Sequence, residues 1–159
     1  ACARLPGLDG KAKMSKSLGN CIFLSDTPEE INKKVMSMYT DPDHIRVEDP
    51  GKVEGNPVFT YIDAFATGEH FKMFLPEYEN AEQLKAHYKR GGLGDVKIKK
   101  FLSKVLRDVL APVYSRREQW QARMPDVFEI LKKGTLAARK KAASTLAAVR
   151  KAMKIDYFD

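Results

Sequence analysis

Three adjacent apolar pairs, Phe101-Leu102, Val105-Leu106 and Val109-Leu110, recur four residues apart in the second half of the chain. Only a 3.6-residue repeat gathers all six on one face, so this stretch is predicted to be an amphipathic helix with one side committed to a core. Lys97, Lys100, Lys104 and Arg107 fall mostly off that face. A long helix of this kind needs partners, and the rest of the chain supplies helical segments rather than strands.

Several of those segments carry explicit start signals. Thr27-Pro28-Glu29-Glu30 combines a capping box with proline at the first helical position, followed by Ile31, Val35, Met38 and Tyr39 on one face to about Thr40. Asn56-Pro57 repeats the start, with Val58, Ile62 and Phe65 inward to about Thr67. A short helical or turn segment is placed at His70 to Leu75. Asn80 to Gln83 is an asparagine form of the capping box, leading to Leu84 and Tyr88 inward and Gly91 as stop. Asp95 is expected to cap the next helix, and Pro112 to kink or divide it. Val127 to Leu131 reads as a short helix closed by Gly134, and Thr135 to Met153 as a last one with Leu146, Val149 and Met153 inward. Residues 1–25 are loop punctuated by Gly7, Gly10 and Gly19, with Cys21 to Leu24 as a strand-like run. The predicted class is all-α: a helical bundle over 26–159 preceded by an irregular loop segment over 1–25.

Composition removes several alternatives. The 159 residues are 43% hydrophobic and 31% charged, and no apolar run approaches the roughly 20 residues of a membrane span. The first ten residues lack the basic and apolar regions of a secretory signal. Cys2 and Cys21 cannot build a disulfide framework, and His44, His70 and His87 are too scattered for a Cys/His metal cluster, so the expectation is no metal site and a reducing cytoplasm. The net charge of +7 is unevenly spread: residues 1–80 sum to −4 and residues 81–159 to +11. A strongly basic half points to a polyanionic partner, most commonly nucleic acid, or else to solvated helix faces.

The segment richest in chemistry is Lys13-Met14-Ser15-Lys16-Ser17, continued by Leu18-Gly19-Asn20. Lys11, Lys13 and Lys16 place three ammonium groups within six residues, with the hydroxyls of Ser15 and Ser17 on either side of Lys16. Glycines at 10 and 19 leave the loop free to move. Cations positioned in this way stabilise charge that develops on phosphoryl oxygens and on departing pyrophosphate.

The pentapeptide resembles the signature loop of class I aminoacyl-tRNA synthetases. Pro6-Gly7-Leu8-Asp9-Gly10, Leu24-Ser25-Asp26, Lys34-Val35-Met36-Ser37 and Tyr39-Thr40-Asp41-Pro42 resemble the tryptophanyl-tRNA synthetases of bacterial type. So do Asp49-Pro50-Gly51, Glu54-Gly55-Asn56-Pro57-Val58-Phe59, Gly91 to Lys97, and the ending Met153 to Phe158. Tyrosyl-tRNA synthetases share the loop and stand as the alternative; the Asp-Pro-Gly and Glu-Gly-Asn-Pro-Val-Phe segments favour tryptophan.

The resemblance implies a longer ATP-dependent ligase. A Rossmann-type domain with a histidine-containing signature and the tryptophan pocket would precede this segment, and neither is in the sequence. The chain is therefore read as a C-terminal part, inactive alone, that closes on Mg2+–ATP and docks tRNA(Trp). The intact enzyme is expected to be a cytoplasmic homodimer. Carried over residue by residue, Lys13 and Lys16 contact the ATP phosphates with Lys16 dominant, Ser15 adds a polar contact and Lys11 an accessory cation.

The helices after about residue 70 would correspond to the anticodon-recognition bundle. Lys97, Lys99, Lys100, Lys104 and Arg107 are the first choice for tRNA contacts, and Arg116 and Arg117 the second. Trp120, Tyr78, Tyr88 and Tyr114 are core residues by default, with stacking on unpaired bases as the alternative. A non-enzymatic basic RNA-binding module is the reading from a different class. A membrane-surface amphipath is disfavoured because the basic helices lack Trp-rich apolar faces.

Overall fold

A computed structural model describes residues 4–157 of the chain. Six α-helices follow one another: α1 Pro28–Met36, α2 Pro57–Phe65, α3 Gly68–Phe74, α4 Ala81–Arg90, α5 Asp95–Gln121 and α6 Met124–Met153. Cys2 and Phe158 lie outside the described residues. Among the described residues there is no strand, only an isolated antiparallel bridge between Pro6 and Lys13. The expected all-helical class is what the chain adopts. The run Cys21 to Leu24 finds no partner strand; Cys21 is buried as a small apolar group, while Phe23 and Leu24 face solvent.

The starts are built as the residues dictate. Thr27 Oγ1 accepts from the Glu30 amide at 3.2 Å, and the Glu30 carboxylate accepts from the Thr27 amide at 2.7 Å. Asn56 Oδ1 accepts from the Val58 amide at 3.0 Å, and Asn80 Oδ1 from the Gln83 amide at 3.0 Å. Gln83 reaches back one residue further than a capping box requires, accepting from the Glu79 amide at 2.9 Å. Helix α3 has a reciprocal start in which His70 Nδ1 accepts from the Thr67 amide at 2.9 Å. This requires the Nε2–H tautomer, which points that proton at Asp108 Oδ2, 3.2 Å away.

The chain divides into two compact units, one up to Tyr114 and the other from Ser115 onward. In the first unit Ile31 and Val35 of α1, Val58, Phe59, Tyr61 and Ile62 of α2, Leu84 and Tyr88 of α4, and Ile98, Phe101, Leu102, Val105 and Leu106 of α5 form one core. Leu8 belongs to the same core, so the loop segment packs against the helices. The loop over 41–55 is tied to the end of α4: the Tyr88 carbonyl accepts from Gly51, and Gly92 donates to Val47 at 2.7 Å. Gly91 sits at φ +89°, and a Cβ there would lie 2.2 Å from the Glu48 carbonyl oxygen, so only glycine fits.

Four expectations give way. Pro112 does not divide α5, which runs unbroken through it to Gln121. Proline removes one amide, and the carbonyl left over belongs to the exposed Asp108, where water can serve it. Gly134 does not close a helix either; α6 continues through it, with open space where its side chain would be. Leu146, Val149 and Met153 point outward rather than inward, and α6 buries none of its residues. Asp95 is the first residue of α5 rather than its cap. Its carboxylate instead accepts from the Tyr88 hydroxyl at 2.7 Å and sits 3.2 Å from His44 Nδ1.

Candidate functional site

Residues 6–20 fold into a closed loop held by its own backbone together with the side chains of Asp9 and Asn20. Gly7 donates to Ala12 at 2.8 Å, Leu8 donates to Asn20 at 2.9 Å, and Gly19 to Lys16 at 3.2 Å. Two bonds join it to the helical core: the Tyr61 hydroxyl donates to the Pro6 carbonyl, and the Tyr39 amide to the Leu8 carbonyl, both at 2.8 Å. The loop is thus anchored at its base, and Met14 packs against the core between the exposed lysines.

The side chains at the tip are those the sequence singled out. Lys11, Lys13 and Lys16 are exposed, and among the described residues no carboxylate pairs with any of their ammonium groups. The Ser15 and Ser17 hydroxyls hydrogen-bond each other at 2.9 Å. A cleft of roughly 640 Å³ opens beside the loop, lined by Leu8, Asp9, Lys11, Asn20 and Tyr39 among others. Three cations without counter-ions, fixed by one short backbone arc, make a ready receptor for a polyphosphate.

One residue of the loop was quoted in the sequence only as part of a motif and proves central. Asn20 is buried at 7% exposure, and its side-chain amide engages three groups. Oδ1 accepts from the Ser15 amide at 2.8 Å, while Nδ2 donates to Asp9 Oδ1 at 3.2 Å and, more weakly, to the Lys13 carbonyl at 3.4 Å. The preceding Gly19, at φ +65°, was the available signal of a turn at this point.

The basic helix divides its cations by face. Lys97, Lys100, Lys104 and Arg107 are exposed at i, i+3, i+7 and i+10 and form one stripe along α5. Lys97 pairs with Glu77 at 3.0 Å, and Lys104 lies 5.8 Å from the centre of the Phe74 ring. Beneath the stripe a groove of about 550 Å³ has Phe74, Leu75, Val96 and Phe101 in its walls. A second hollow of about 470 Å³ shares Phe74 and Lys104 and adds Arg107 and Tyr114. Arg116 and Arg117 are exposed on the second unit.

Lys99 must be taken off the list of surface cations. It is 9% exposed, and its ammonium donates to the carbonyls of Met38 at 2.7 Å and Met36 at 3.2 Å, across the core from α5. Burial pushes its pKa below the usual lysine value. Its register on α5 explains this, because at about 100° per residue 99 falls between the buried positions Leu106 and Ser103 rather than on the stripe. Tyr78 and Tyr88 are core residues too, Tyr78 donating to or accepting from His87 Nδ1 at 2.7 Å. Burial, then the bond to Asp95, holds the Tyr88 hydroxyl pKa well above its ordinary value. Trp120 is 44% exposed, beside Arg123.

Comparison with known proteins agrees with this geometry. The profile of the tRNA synthetases class I (W and Y) matches residues 3–111. The tryptophan–tRNA ligase of Clostridium longisporum is 54% identical over 156 residues, covering 98% of this chain and 43% of that protein. The tryptophan–tRNA ligase of Lactococcus lactis subsp. lactis is 54% identical over 158 residues, covering 99% of this chain and 44% of that protein. The chain therefore spans less than half the length of the curated relatives it matches. The tryptophanyl-tRNA synthetase of Campylobacter jejuni, solved with ADP and tryptophan, superposes with a TM-score of 0.72 at 24% identity, over 96% of this chain and 44% of that one. At that identity the likeness concerns the fold. Among the described residues no helix is long and apolar enough to cross a membrane.

Proposed function

Because the chain belongs to the class I tRNA synthetases of the tryptophan and tyrosine type, we propose that it is the C-terminal part of a tryptophan–tRNA ligase, supplying the phosphate-clamping loop and a tRNA-docking surface. The observation that carries this reading is the loop itself: Lys11, Lys13 and Lys16 stand exposed without carboxylate partners on an arc tied to the core at its base.

In the reaction so assigned, the carboxylate of tryptophan attacks the α-phosphorus of Mg2+–ATP. A carboxylate oxygen–phosphorus bond forms, the bond to the bridging oxygen breaks, and pyrophosphate leaves with the electron pair. Negative charge grows on the departing phosphates, where Lys13 and Lys16 stabilise it more in the transition state than in bound ATP. Ser15 contributes a hydroxyl, and Lys11 extends the field toward the terminal phosphates. Mg2+ enters with the nucleotide. A terminal ribose hydroxyl of tRNA(Trp) then attacks the carbonyl of the activated tryptophan, forming an ester as AMP leaves; the tRNA is held by Lys97, Lys100, Lys104 and Arg107, with Arg116 and Arg117 as further contacts. The tryptophan pocket and the rest of the ATP site belong to the Rossmann-type part that the relatives' greater length accommodates. Residues 1–25 are its tail and 26–159 the anticodon-binding part. A cytoplasmic homodimer is the proposed working form.

Pyrophosphate exchange by the full-length ligase tests the loop. Lys16→Ala is expected to lower kcat by about 10²- to 10³-fold, as loss of one positioned donor to developing charge does. Retained exchange in that variant removes the clamp. The tyrosine alternative is decided by the amino acid that supports exchange.

A further inference from the structure

We propose that Asn20 is a positioning residue that shapes the lysine loop for phosphate before any nucleotide arrives. This rests on the clamp reading above and adds a residue that touches neither the nucleotide nor the amino acid in that reading. A short arc, Lys13 to Ser15, lies between two of its bonds: Nδ2 to the Lys13 carbonyl and Oδ1 from the Ser15 amide. The third bond, to Asp9, orients the amide so that donor and acceptor cannot exchange roles. The Asn20 carbonyl accepts from Leu8, a core residue, so the latch is referenced to the helical unit rather than to the loop alone.

Two features make the assignment specific. Asn20 is nearly buried, whereas the lysines on either side of the arc are exposed, so its amide is spent on backbone and not on solvent. Gly7 lies directly against it: a Cβ at that position would be 2.1 Å from Asn20 Nδ2. The glycine therefore makes room for the latch. Fixing the arc in advance removes the cost of ordering it at the moment charge develops, which is where a clamp of cations gains its effect. No other side chain of the same size meets all three partners, since an aspartate lacks the donor and a leucine lacks both functions.

The test has two parts. In the 159-residue chain, Asn20→Ala should speed hydrogen exchange at the Ser15 amide by about tenfold or more, because its acceptor is gone. In the full-length ligase, Asn20→Ala should lower kcat for pyrophosphate exchange by about 10- to 100-fold while leaving the KM for tryptophan in place. Asn20→Asp alone should be as poor, because it sets two carboxylates against each other at the Asp9 contact. The pair Asp9→Asn with Asn20→Asp reverses the polarity of that bond and keeps an acceptor for Ser15, though not the weaker bond to the Lys13 carbonyl, so it should recover about threefold or more over Asn20→Asp alone without reaching the parent. The same swap keeps the question open to measurement even if Asn20→Ala folds poorly. Positioning by Asn20 is overturned if Asn20→Ala keeps its kcat while Lys16→Ala loses it, or if the swapped pair is no better than Asn20→Asp. If Lys16→Ala is itself silent, the clamp reading fails and takes this one with it.

Discussion

Lys99 and Lys100 are neighbours in sequence with opposite surroundings, and replacing each by methionine should separate stability from tRNA binding. Methionine keeps the aliphatic stem and removes the ammonium. At position 99 this deletes two hydrogen bonds, at 2.7 and 3.2 Å, and leaves the carbonyls of Met38 and Met36 without the donor they share. An abandoned buried carbonyl costs about 1–3 kcal/mol, offset in part by no longer desolvating a cation, so a net loss of about 2 kcal/mol is expected. Burial lowers the Lys99 pKa, so the unfolded chain holds this proton more tightly than the folded one. The Lys99 contribution to stability therefore rises with pH from that depressed value up to about 10.5, and Lys99→Met abolishes the rise. At position 100 the side chain is exposed and unpaired, so Lys100→Met should change stability by no more than about 0.5 kcal/mol. Binding of tRNA(Trp) by the full-length ligase, followed by anisotropy from roughly 50 to 300 mM salt, should show the reverse ranking. The slope of log K against log salt should fall by about 0.7–0.9 for Lys100→Met and stay unchanged for Lys99→Met. Urea unfolding of the 159-residue chain supplies the stability half. A Lys99→Met variant that folds as well as the parent but loses salt slope would refute the argument from burial.

Tyr88→Phe loses the 2.7 Å bond to Asp95 and should cost about 1.5–3 kcal/mol at neutral pH. Burial and Asp95 raise the Tyr88 pKa, so its stabilisation is complete below about pH 10 and declines above it by about 1.4 kcal/mol per pH unit. The gap between parent and variant in urea unfolding should thus narrow above pH 10, and a constant gap argues against the network. Gly91→Ala, which meets the Glu48 carbonyl at a backbone angle of +89°, should cost about 3 kcal/mol in thermal unfolding. Gly55→Ala, at +76° but with open space around it, should cost only about 1 kcal/mol, and equal losses would discount the steric contact.

The helix starts were legible because a cap is a local device: Thr27, Asn56 and Asn80 need only the next three residues to do their work. The lysine loop was legible for the same reason, as its residues are contiguous. What escaped the sequence depends on distant partners. Asp95 has the character of a cap, but Tyr88 and His44, brought near by the end of α4 and the 41–55 loop, claim its carboxylate instead. His70 has no special sequence context, yet it replaces a glutamate in the start of α3. Local rules make Pro112 a kink or a divide and Gly134 a stop, and helix continuity on both sides prevails at exposed positions where the lost contacts are few. Lys99 differs from Lys97 and Lys100 only by its angle around α5, a matter of one hundred degrees per residue that a list of basic residues ignores.

Angle alone does not decide which cations remain available; the acidic first half of the chain does. Its carboxylates are claimed by lysines of the helices: Asp26 by Lys34 at 2.5 Å, Glu54 by Lys89 at 2.6 Å, Asp63 by Lys85 at 2.8 Å and Glu77 by Lys97 at 3.0 Å. Three of these four pairs join a carboxylate before residue 80 to a lysine after it, so part of the charge asymmetry is neutralised within the fold. The pairs Glu54–Lys89 and Glu77–Lys97 are exposed and contribute little stability each. Their larger consequence is to handicap those lysines, Lys97 among them, in competition for a polyanion, since an existing pair must be given up first. Lys11, Lys13 and Lys16 on the loop, and Lys100, Lys104 and Arg107 on α5, are left without carboxylate partners among the described residues. An unpaired cation has the most to gain from a phosphate, because no existing bond must be broken to make the new one. The two groups lie in separate parts of the first unit, one on a closed loop with Lys11 lining the cleft beside it and the other bordering an apolar groove along a helix. A compact triphosphate suits the first, and an extended chain of phosphates with bases to bury suits the second. Acid pairing within the fold thus sorts one excess of positive charge into two receptors of different shape.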